Sequence, residues 1–138
     1  MESFQVDILA TDHTFYSGPC ASLVVPTPHG MYGVMARHSN MIASIAPGEL
    51  KYTLPGEAPR IAAVSSGLIK VEDGRALILV ETAERPEEID RNRAQRTADA
   101  AREAMLQKMG RREYLETQAQ LARTIIRLRV KSHAERLD

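Results

Sequence analysis

The stretch AERPEEID, residues 83–90, joins two parts of the chain that differ in composition. All seven prolines and seven of the eight glycines lie at or before Pro86. The 52 residues after it (138 minus 86) contain no proline and a single glycine, Gly110. Because proline and glycine form turns and interrupt helices, the sequence predicts a strand-rich domain over residues 1–86 and a helical domain over residues 87–138.

Short apolar segments separated by turn residues fill the part before Pro86. Phe4, Val6 and Ile8 alternate with polar residues, which is the period of a half-buried strand. A strand over 23–25 is expected to end at Pro26, and Cys20 is expected to be a small buried strand residue. Further strands are predicted over 31–35, 41–45, 50–54, 61–64, 68–71 and 75–80, the last two joined by a hairpin turn at Asp73-Gly74. This spacing predicts an antiparallel β-sandwich or a small barrel.

Helical periodicity begins after Pro86. Acidic residues between 87 and 90 suit the positive end of a helix, so either Pro86 lies in the first turn or Asp90 caps the helix. The apolar face of this helix is mostly alanine, which lets a partner helix approach closely. That face contains Ala94, Ala98, Ala101, Met105 and Met109.

A second helix is predicted from about Glu113, after a loop at Gly110-Arg111-Arg112. Two such helices joined by a short loop predict an antiparallel hairpin. Because short helices are marginal in water, the hairpin must rest on another surface, and we expect it to be movable. The apolar side of the second helix is expected to contain Tyr114, Leu121, Ala122, Ile125, Ile126 and Leu128.

Charge and hydropathy exclude several classes of protein. Residues 1–86 carry 6 basic and 9 acidic side chains, a net of −3, and residues 87–138 carry 12 and 9, a net of +3. This field is too weak to suggest a nucleic-acid partner. No apolar run approaches the ~20 residues that cross a bilayer, so we expect membrane association only through partners.

The histidines offer one candidate site. A sandwich bearing His13, His29 and His38 is compatible with a cupin-like metal enzyme, because imidazole is a common metal ligand. The spacing favours turn or surface histidines instead, since the sequence has no HxH pair with a nearby glutamate. Ser65-Ser66-Gly67 lacks the glycine flanks of a nucleophile elbow, so no catalytic residue is predicted. Because of the histidine spacing, no metal ligand is predicted either.

Two basic clusters in the helical part allow a structural and a functional interpretation. The first cluster lies in a segment without acidic residues and contains Arg123, Arg127, Arg129 and Lys131. It is either a solvated polar face or a contact for an acidic segment or a phosphate. Asp90 and Arg93, three residues apart, form either a helix cap with an ion pair or a pair that meets an adenine amino group and phosphates.

Short motifs spread over nearly the whole length of the chain carry a family resemblance through their order and spacing. They are FQVDIL at 4–9, FYSG at 15–18, VVP at 24–26, GMYGV at 30–34 with His38, PGEL at 47–50, VSSG at 64–67, TAE at 82–84 and IDRNRA at 89–94. With these motifs the sequence resembles the epsilon subunits of bacterial F-type ATP synthases. It departs from that family at Met35-Ala36, where the family has Leu-Pro, and at Ser39-Asn40, where the family usually has a small residue followed by proline.

The resemblance implies a noncatalytic stalk subunit that requires no cofactor. Its sandwich would bind the gamma subunit and the ring of c subunits, and its hairpin would reach the alpha and beta subunits and inhibit ATP hydrolysis. The complex would lie on the cytoplasmic face of a bacterial inner membrane, with this subunit peripheral to it. Partner contacts are implied for His38, Arg123, Arg127 and Arg129.

A regulatory ATP site is also implied by the resemblance, since some family members bind ATP and thereby favour a compact hairpin. The matching residues are Ile89, Asp90, Arg93 and Ala94, with Glu84, Arg123 and Arg127 as additions. Besides the metal enzyme, a free-standing adaptor for another acidic partner remains an alternative.

Overall fold

A computed structural model describes residues 2–137 of the chain, which form ten strands, one 3-10 helix and two α-helices. The chain divides into two compact units, Met1–Arg85 and Pro86–Asp138, here called the sheet unit and the helical unit. The fold class predicted from the sequence, a β-sandwich followed by two helices, is confirmed.

Two five-stranded sheets form the sheet unit. The first has the order β2-β1-β9-β8-β5 and the second β10-β7-β6-β3-β4. Every pair is antiparallel except β1 with β9, which run parallel. The strands are β1 Phe4–Leu9, β2 Thr14–Cys20, β3 Ser22–Thr27, β4 Gly30–Met35, β5 Met41–Ile45, β6 Gly48–Thr53, β7 Arg60–Val64, β8 Gly67–Glu72, β9 Arg75–Val80 and β10 Ala83–Glu84.

The core lies between the inner faces of these sheets. Alternate residues of β1 are buried, as the period of two in its sequence predicts. Cys20 is fully buried as predicted, and this burial raises the pKa of its thiol. The side chains without accessible surface are mostly branched aliphatics, among them Val6, Ile8, Leu23, Val25, Leu50, Ile69 and Ile78.

Asp73 and Gly74 form the predicted hairpin turn between β8 and β9. Both have positive φ, 52° and 75°, as a two-residue type I′ turn requires. Gly67, at the start of β8, is required for another reason: a Cβ there would lie 1.9 Å from the carbonyl oxygen of Leu79. This close approach lets β8 and β9 pair along their whole length.

The predicted end of a strand at Pro26 is wrong, because β3 continues through it to Thr27. The neighbouring strand β6 pairs with β3 only as far as Val24, so the missing N–H of Pro26 leaves no ladder bond unmade on that side. The carbonyl of Pro26 accepts from the amide of Ala46 at 3.0 Å. Pro26 is therefore tolerated, because β3 and β6 no longer pair at this position.

The helical unit begins with a 3-10 helix, η1, at Pro86–Glu88, followed by α1, Arg91–Met105, and α2, Arg111–Leu137. Asp90 is the N-cap of α1, which decides between the two starts that the sequence allowed. The alanine face is confirmed: Ala94, Ala98 and Ala101 are buried.

The predicted boundaries of the loop between the helices are wrong. Bonds from Leu106 to Glu103 and from Gln107 to Ala104 close α1 with tight turns, so Met109 lies outside the helix. Gly110 directly precedes α2 and does not end α1, since its carbonyl accepts the first helical hydrogen bond, from the amide of Tyr114, at 2.9 Å. Arg111 and Arg112, predicted as loop residues, therefore belong to α2.

The predicted apolar side of α2 is correct only in part. Leu121, Ile125 and Leu128 are half-buried, but Tyr114 is exposed, and the buried residues are Thr124 and Val130. At 1.5 Å per residue, α1 is about 22 Å long and α2 about 40 Å, so α1 can cover only part of α2. Thr124 is buried without an unpaired hydroxyl, because its Oγ1 donates to the carbonyl of Gln120 at 2.8 Å.

Candidate nucleotide and partner sites

Asp90 and Arg93 stand at the start of α1. Oδ1 of Asp90 accepts from the backbone N–H of Arg93 at 3.1 Å, while both side chains are exposed. Ile89 is 2% exposed and Ala94 is fully buried, so the two apolar members of the predicted set are parts of the packing. The arrangement leaves a carboxylate at the positive end of a helix and a guanidinium on its surface.

Contacts of Arg91 with the end of α2 locate the other predicted residues of this unit. Arg91 donates from Nη2 to Oγ of Ser132 at 3.4 Å, so the helices are antiparallel, as predicted. Arg127 lies five residues before Ser132, about 7.5 Å along the helix axis, and Arg123 lies about 6 Å further away. Of the two arginines, Arg127 is therefore the nearer to the start of α1.

Glu84 belongs to the sheet unit. It lies in the last strand, β10, opposite Ala63 of β7, and is half-buried. The residues assigned by resemblance to one nucleotide site thus come from both units of the chain.

The basic segment of α2 is divided by its contacts. Arg123 and Arg129 are exposed, and within residues 2–137 neither forms an ion pair. Lys131 instead donates from Nζ to the carbonyl oxygen of Pro86 at 3.0 Å and is half-buried. Two of the four cations are consequently available to a partner, whereas Lys131 takes part in the fold.

His38 is held beside the edge strand β4. Its Nδ1 lies 2.7 Å from the carbonyl oxygen of Ser39, and its Nε2 lies 2.8 Å from Oη of Tyr32. Because a carbonyl only accepts, Nδ1 carries a proton, and Nε2 of the neutral ring accepts from Tyr32. Met31 and Met35 of the same strand are 58% and 59% exposed, so β4 also bears two exposed apolar side chains.

The metal-enzyme alternative gains no geometric support. His13 pairs with the neighbouring Asp12 at 2.7 Å, and this hydrogen bond lowers the pKa of the exposed Asp12 carboxyl. No group of three or more potential metal ligands is found among residues 2–137. Within the same residues, no helix is long and apolar enough to cross a membrane.

Three residues that sequence reasoning did not single out make contacts near the ends of the units: Arg91 and Glu135 in the helical unit, and Arg85 in the sheet unit. Arg91 forms an ion pair with Glu135 at 2.7 Å, and Arg85 donates to the carbonyl of Phe15 at 2.9 Å. The charges of Arg91 and Glu135 were visible in the sequence, but nothing local indicated that they would meet. The predicted antiparallel hairpin could have indicated the pair, because it brings the start of α1, with Arg91, next to the end of α2, with Glu135.

Comparison with known proteins matches both parts of the chain. Residues 3–86 match the model of the beta-sandwich domain of the ATP synthase delta/epsilon chain, and residues 87–132 match that of its long alpha-helix domain. Among curated relatives, the ATP synthase epsilon chain 1 of Methylococcus capsulatus is 36% identical over 92% of this chain and 91% of its own length. The ATP synthase epsilon chain of Neisseria meningitidis serogroup B is 32% identical over 96% and 99%.

Solved structures share the fold. A chain in the Euglena gracilis mitochondrial ATP synthase has a TM-score of 0.71 at 24% identity, covering 98% of this chain and 81% of its own. A chain of the Tetrahymena thermophila mitochondrial ATP synthase has a TM-score of 0.65 at 13% identity, with 94% and 97% covered. Together with the family models and the curated relatives, this likeness extends over both units. The chain therefore belongs to the ATP synthase delta/epsilon chain family, and within that family to the epsilon chains of the F-type enzyme.

Proposed function

We propose that this chain couples the rotor of an F-type ATP synthase to its c-ring and restrains ATP hydrolysis through its helical unit. Family membership makes it a noncatalytic subunit of that enzyme. The observation that carries the regulatory part is the division into two compact units, one of which is a helical hairpin whose exposed Arg123 and Arg129 have no acidic partner among residues 2–137.

The sheet unit is the proposed binding module for the gamma subunit and the c-ring. The solved complexes with this fold are described as containing F1 and a c-ring in one case, and as a central stalk with a c-ring in the other. Strand β4, at the edge of its sheet, exposes the apolar side chains of Met31 and Met35 and also bears the hydrogen-bonded pair Tyr32–His38. Interfaces are enriched in methionine and tyrosine, because methionine adapts its shape to a partner and tyrosine adds a large apolar ring with a polar hydroxyl.

The helical unit is the proposed inhibitory element. Arg123 and Arg129 are exposed and have no acidic partner among the described residues, so an acidic stretch of the beta subunit could pair with them without breaking an internal ion pair. Arg127 completes the predicted contact from a half-buried position. Arginine suits this task because its planar fork binds carboxylates through two parallel hydrogen bonds.

ATP is the proposed regulator of the hairpin. A carboxylate such as that of Asp90 can accept from the adenine amino group, and the exposed guanidinium of Arg93 can meet the phosphates. Arg127, Arg123 and Glu84 are the proposed additions, and the buried side chains of Ile89 and Ala94 anchor the backbone on either side of Asp90 and Arg93. ATP can shift the equilibrium between a compact hairpin and a hairpin that reaches the alpha and beta subunits. The size of that shift is set by the difference between the affinities of the two forms for ATP.

Under this proposal the protein is peripheral to the cytoplasmic face of a bacterial inner membrane, which it reaches only through the complex, and it binds no nucleic acid. The test is ATP hydrolysis by the assembled complex with the double variant Arg123→Ala, Arg127→Ala. We expect hydrolysis to rise, and we expect Arg96→Ala, an exposed arginine of α1, to leave it unchanged. Equal rates for the parent and the double variant would remove the inhibitory role.

A further inference from the structure

The hydroxyl of Tyr32 and the imidazole of His38 form a pair whose hydrogen bonds have an assignable direction. Nδ1 of His38 lies 2.7 Å from the carbonyl oxygen of Ser39, and Nε2 lies 2.8 Å from Oη of Tyr32. A carbonyl oxygen only accepts, so the hydrogen of the neutral ring is on Nδ1. Nε2 then carries the lone pair, and the hydroxyl of Tyr32 donates to it.

Both ring nitrogens of His38 are therefore occupied within the chain. A neutral imidazole has one donor and one acceptor, and Ser39 and Tyr32 use both. A polar atom of a partner that approached this ring would find no hydrogen bond there, and an unmade bond costs free energy when the interface excludes water. His38 itself is thus unsuited to be the polar contact of this edge.

Tyr32 has hydrogen-bonding capacity left. A phenolic oxygen accepts as well as donates, and among residues 2–137 Oη of Tyr32 bonds only to His38. Tyr32 is 41% exposed. Its ring meets the imidazole edge to face, with the centroids 5.6 Å apart and the planes at 70°. Two contacts with His38 orient this side chain, while its oxygen keeps a lone pair for a group outside the chain.

We propose that Tyr32 is the hydrogen-bonding residue of this edge and that His38 is a positioning residue, which fixes the direction of the Tyr32 hydroxyl. Because His38 takes the hydrogen of that hydroxyl, the oxygen can only accept from a partner. The matching group is a donor, and a carboxylate is unsuitable because neither residue has a hydrogen to give it. Residues 1–86 carry 6 basic and 9 acidic side chains, a net of −3, which favours lysine or arginine as the donor.

The partner rests on the proposed function: it is the rotor subunit that covers β4. The direction of the hydrogen bond is a property of this chain alone, and NMR of the full chain tests it separately. The ¹⁵N chemical shifts of the His38 ring, measured at a pH at which the imidazole is neutral, show which nitrogen carries the hydrogen. We expect Nδ1. A hydrogen on Nε2 would overturn the proposal, because Tyr32 would then accept from His38 and keep its own hydrogen for the partner.

Affinity for the ATP synthase complex from which this subunit has been removed tests the contact. Tyr32→Phe keeps the ring and removes the oxygen, so affinity should fall about 10-fold, the effect of losing one hydrogen bond to a charged group. Thermal unfolding should stay close to that of the parent, because the lost bond is an exposed one. Tyr114→Phe is the matched control, since this tyrosine of the helical unit is 38% exposed, and it should bind like the parent.

A double-mutant cycle separates positioning from direct contact. His38→Ala should lower the affinity of the parent, because the Tyr32 hydroxyl is no longer directed. Combined with Tyr32→Phe, it should change affinity by less than about twofold, because His38 then has no hydroxyl to direct. A full further loss in that background would show that His38 contacts the partner itself and would overturn the proposal.

The remaining outcomes are also decisive. Equal losses of affinity in Tyr32→Phe and Tyr114→Phe would overturn the proposal, because the effect would not be specific to this edge. Failure of the parent chain to bind the complex would instead contradict the proposed function, and with it the choice of partner. The NMR result would still decide the direction of the Tyr32–His38 bond.

Discussion

Nη2 of Arg91 lies 2.7 Å from Oε2 of Glu135, so the first residue of α1 is joined to the last turn of α2. Both side chains are about half exposed, at 43% and 48%. The pair fixes the antiparallel register at the open end of the hairpin, opposite the loop that joins the helices.

A double-mutant cycle with Arg91→Ala and Glu135→Ala should give a coupling free energy of about 0.2–1 kcal/mol, since exposed ion pairs contribute little in water. Urea unfolding at low salt measures it, and 1 M salt should weaken it by screening. A cycle that pairs Arg96→Ala with Glu135→Ala should show no coupling. Equal coupling in both cycles would mean that the measured contact is not the one described.

Asp90 should stabilise α1 as its cap. Asp90→Ala leaves the amide of Arg93 without its acceptor, so the free energy of unfolding should fall by about 0.5–2 kcal/mol. Asp90→Ser keeps a capping oxygen and should restore most of that stability. Thermal unfolding of the three proteins measures the difference. If serine proved as destabilising as alanine, capping would not be the reason for the loss.

The same serine variant separates capping from ATP binding. Under the proposed function, Asp90→Ser and Arg93→Ala each lose a charged partner of the nucleotide, and ATP affinity should fall by about 10-fold or more. Arg96→Ala should bind like the parent. Isothermal titration calorimetry of the isolated subunit measures this. Absence of binding by the parent, or equal affinity in all four proteins, would eliminate the nucleotide site.

Gly67 should tolerate no side chain. A Cβ at this position meets backbone atoms of β9, the carbonyl oxygen of Leu79 at 1.9 Å and Cα of Val80 at 2.8 Å. Backbone cannot move aside as a flexible side chain can, so Gly67→Ala should cost about 1–3 kcal/mol or more. Gly33, in β4, has no heavy atom within 4 Å of its added Cβ, and Gly33→Ala should cost little. Equal costs for the two variants would contradict the close approach of β8 and β9.

The sandwich could be predicted because its strands show the period of two and are bounded by turn residues. Strand β2 was missed because its Gly18 and Pro19 indicate a turn. It lies at the edge of its sheet, where a proline is tolerated. Local residue types therefore indicate where strands lie in the sequence, but they do not indicate the position of a strand in its sheet. Whether a proline is tolerated depends on that position.

In the helical unit the sequence left two interpretations of Asp90, and the geometry shows the cap. The contacts of Arg85 with Phe15 and of Lys131 with Pro86 could not be foreseen, because they join residues 70 and 45 positions apart. Long side chains reach such partners only after the fold has brought the backbones together. Lys131 is the clearest example, because it bonds to Pro86 while Arg123 and Arg129 of the same basic segment stay exposed.

The most direct test of the account is ATP hydrolysis by the complex assembled with a subunit truncated after Gly110, which removes α2 and every arginine assigned to inhibition. Assembly is checked first by co-purification with gamma, since the sheet unit is complete in the truncated chain. The account predicts faster hydrolysis than with the full chain. A normally assembled complex that hydrolyses ATP at an unchanged rate would contradict it.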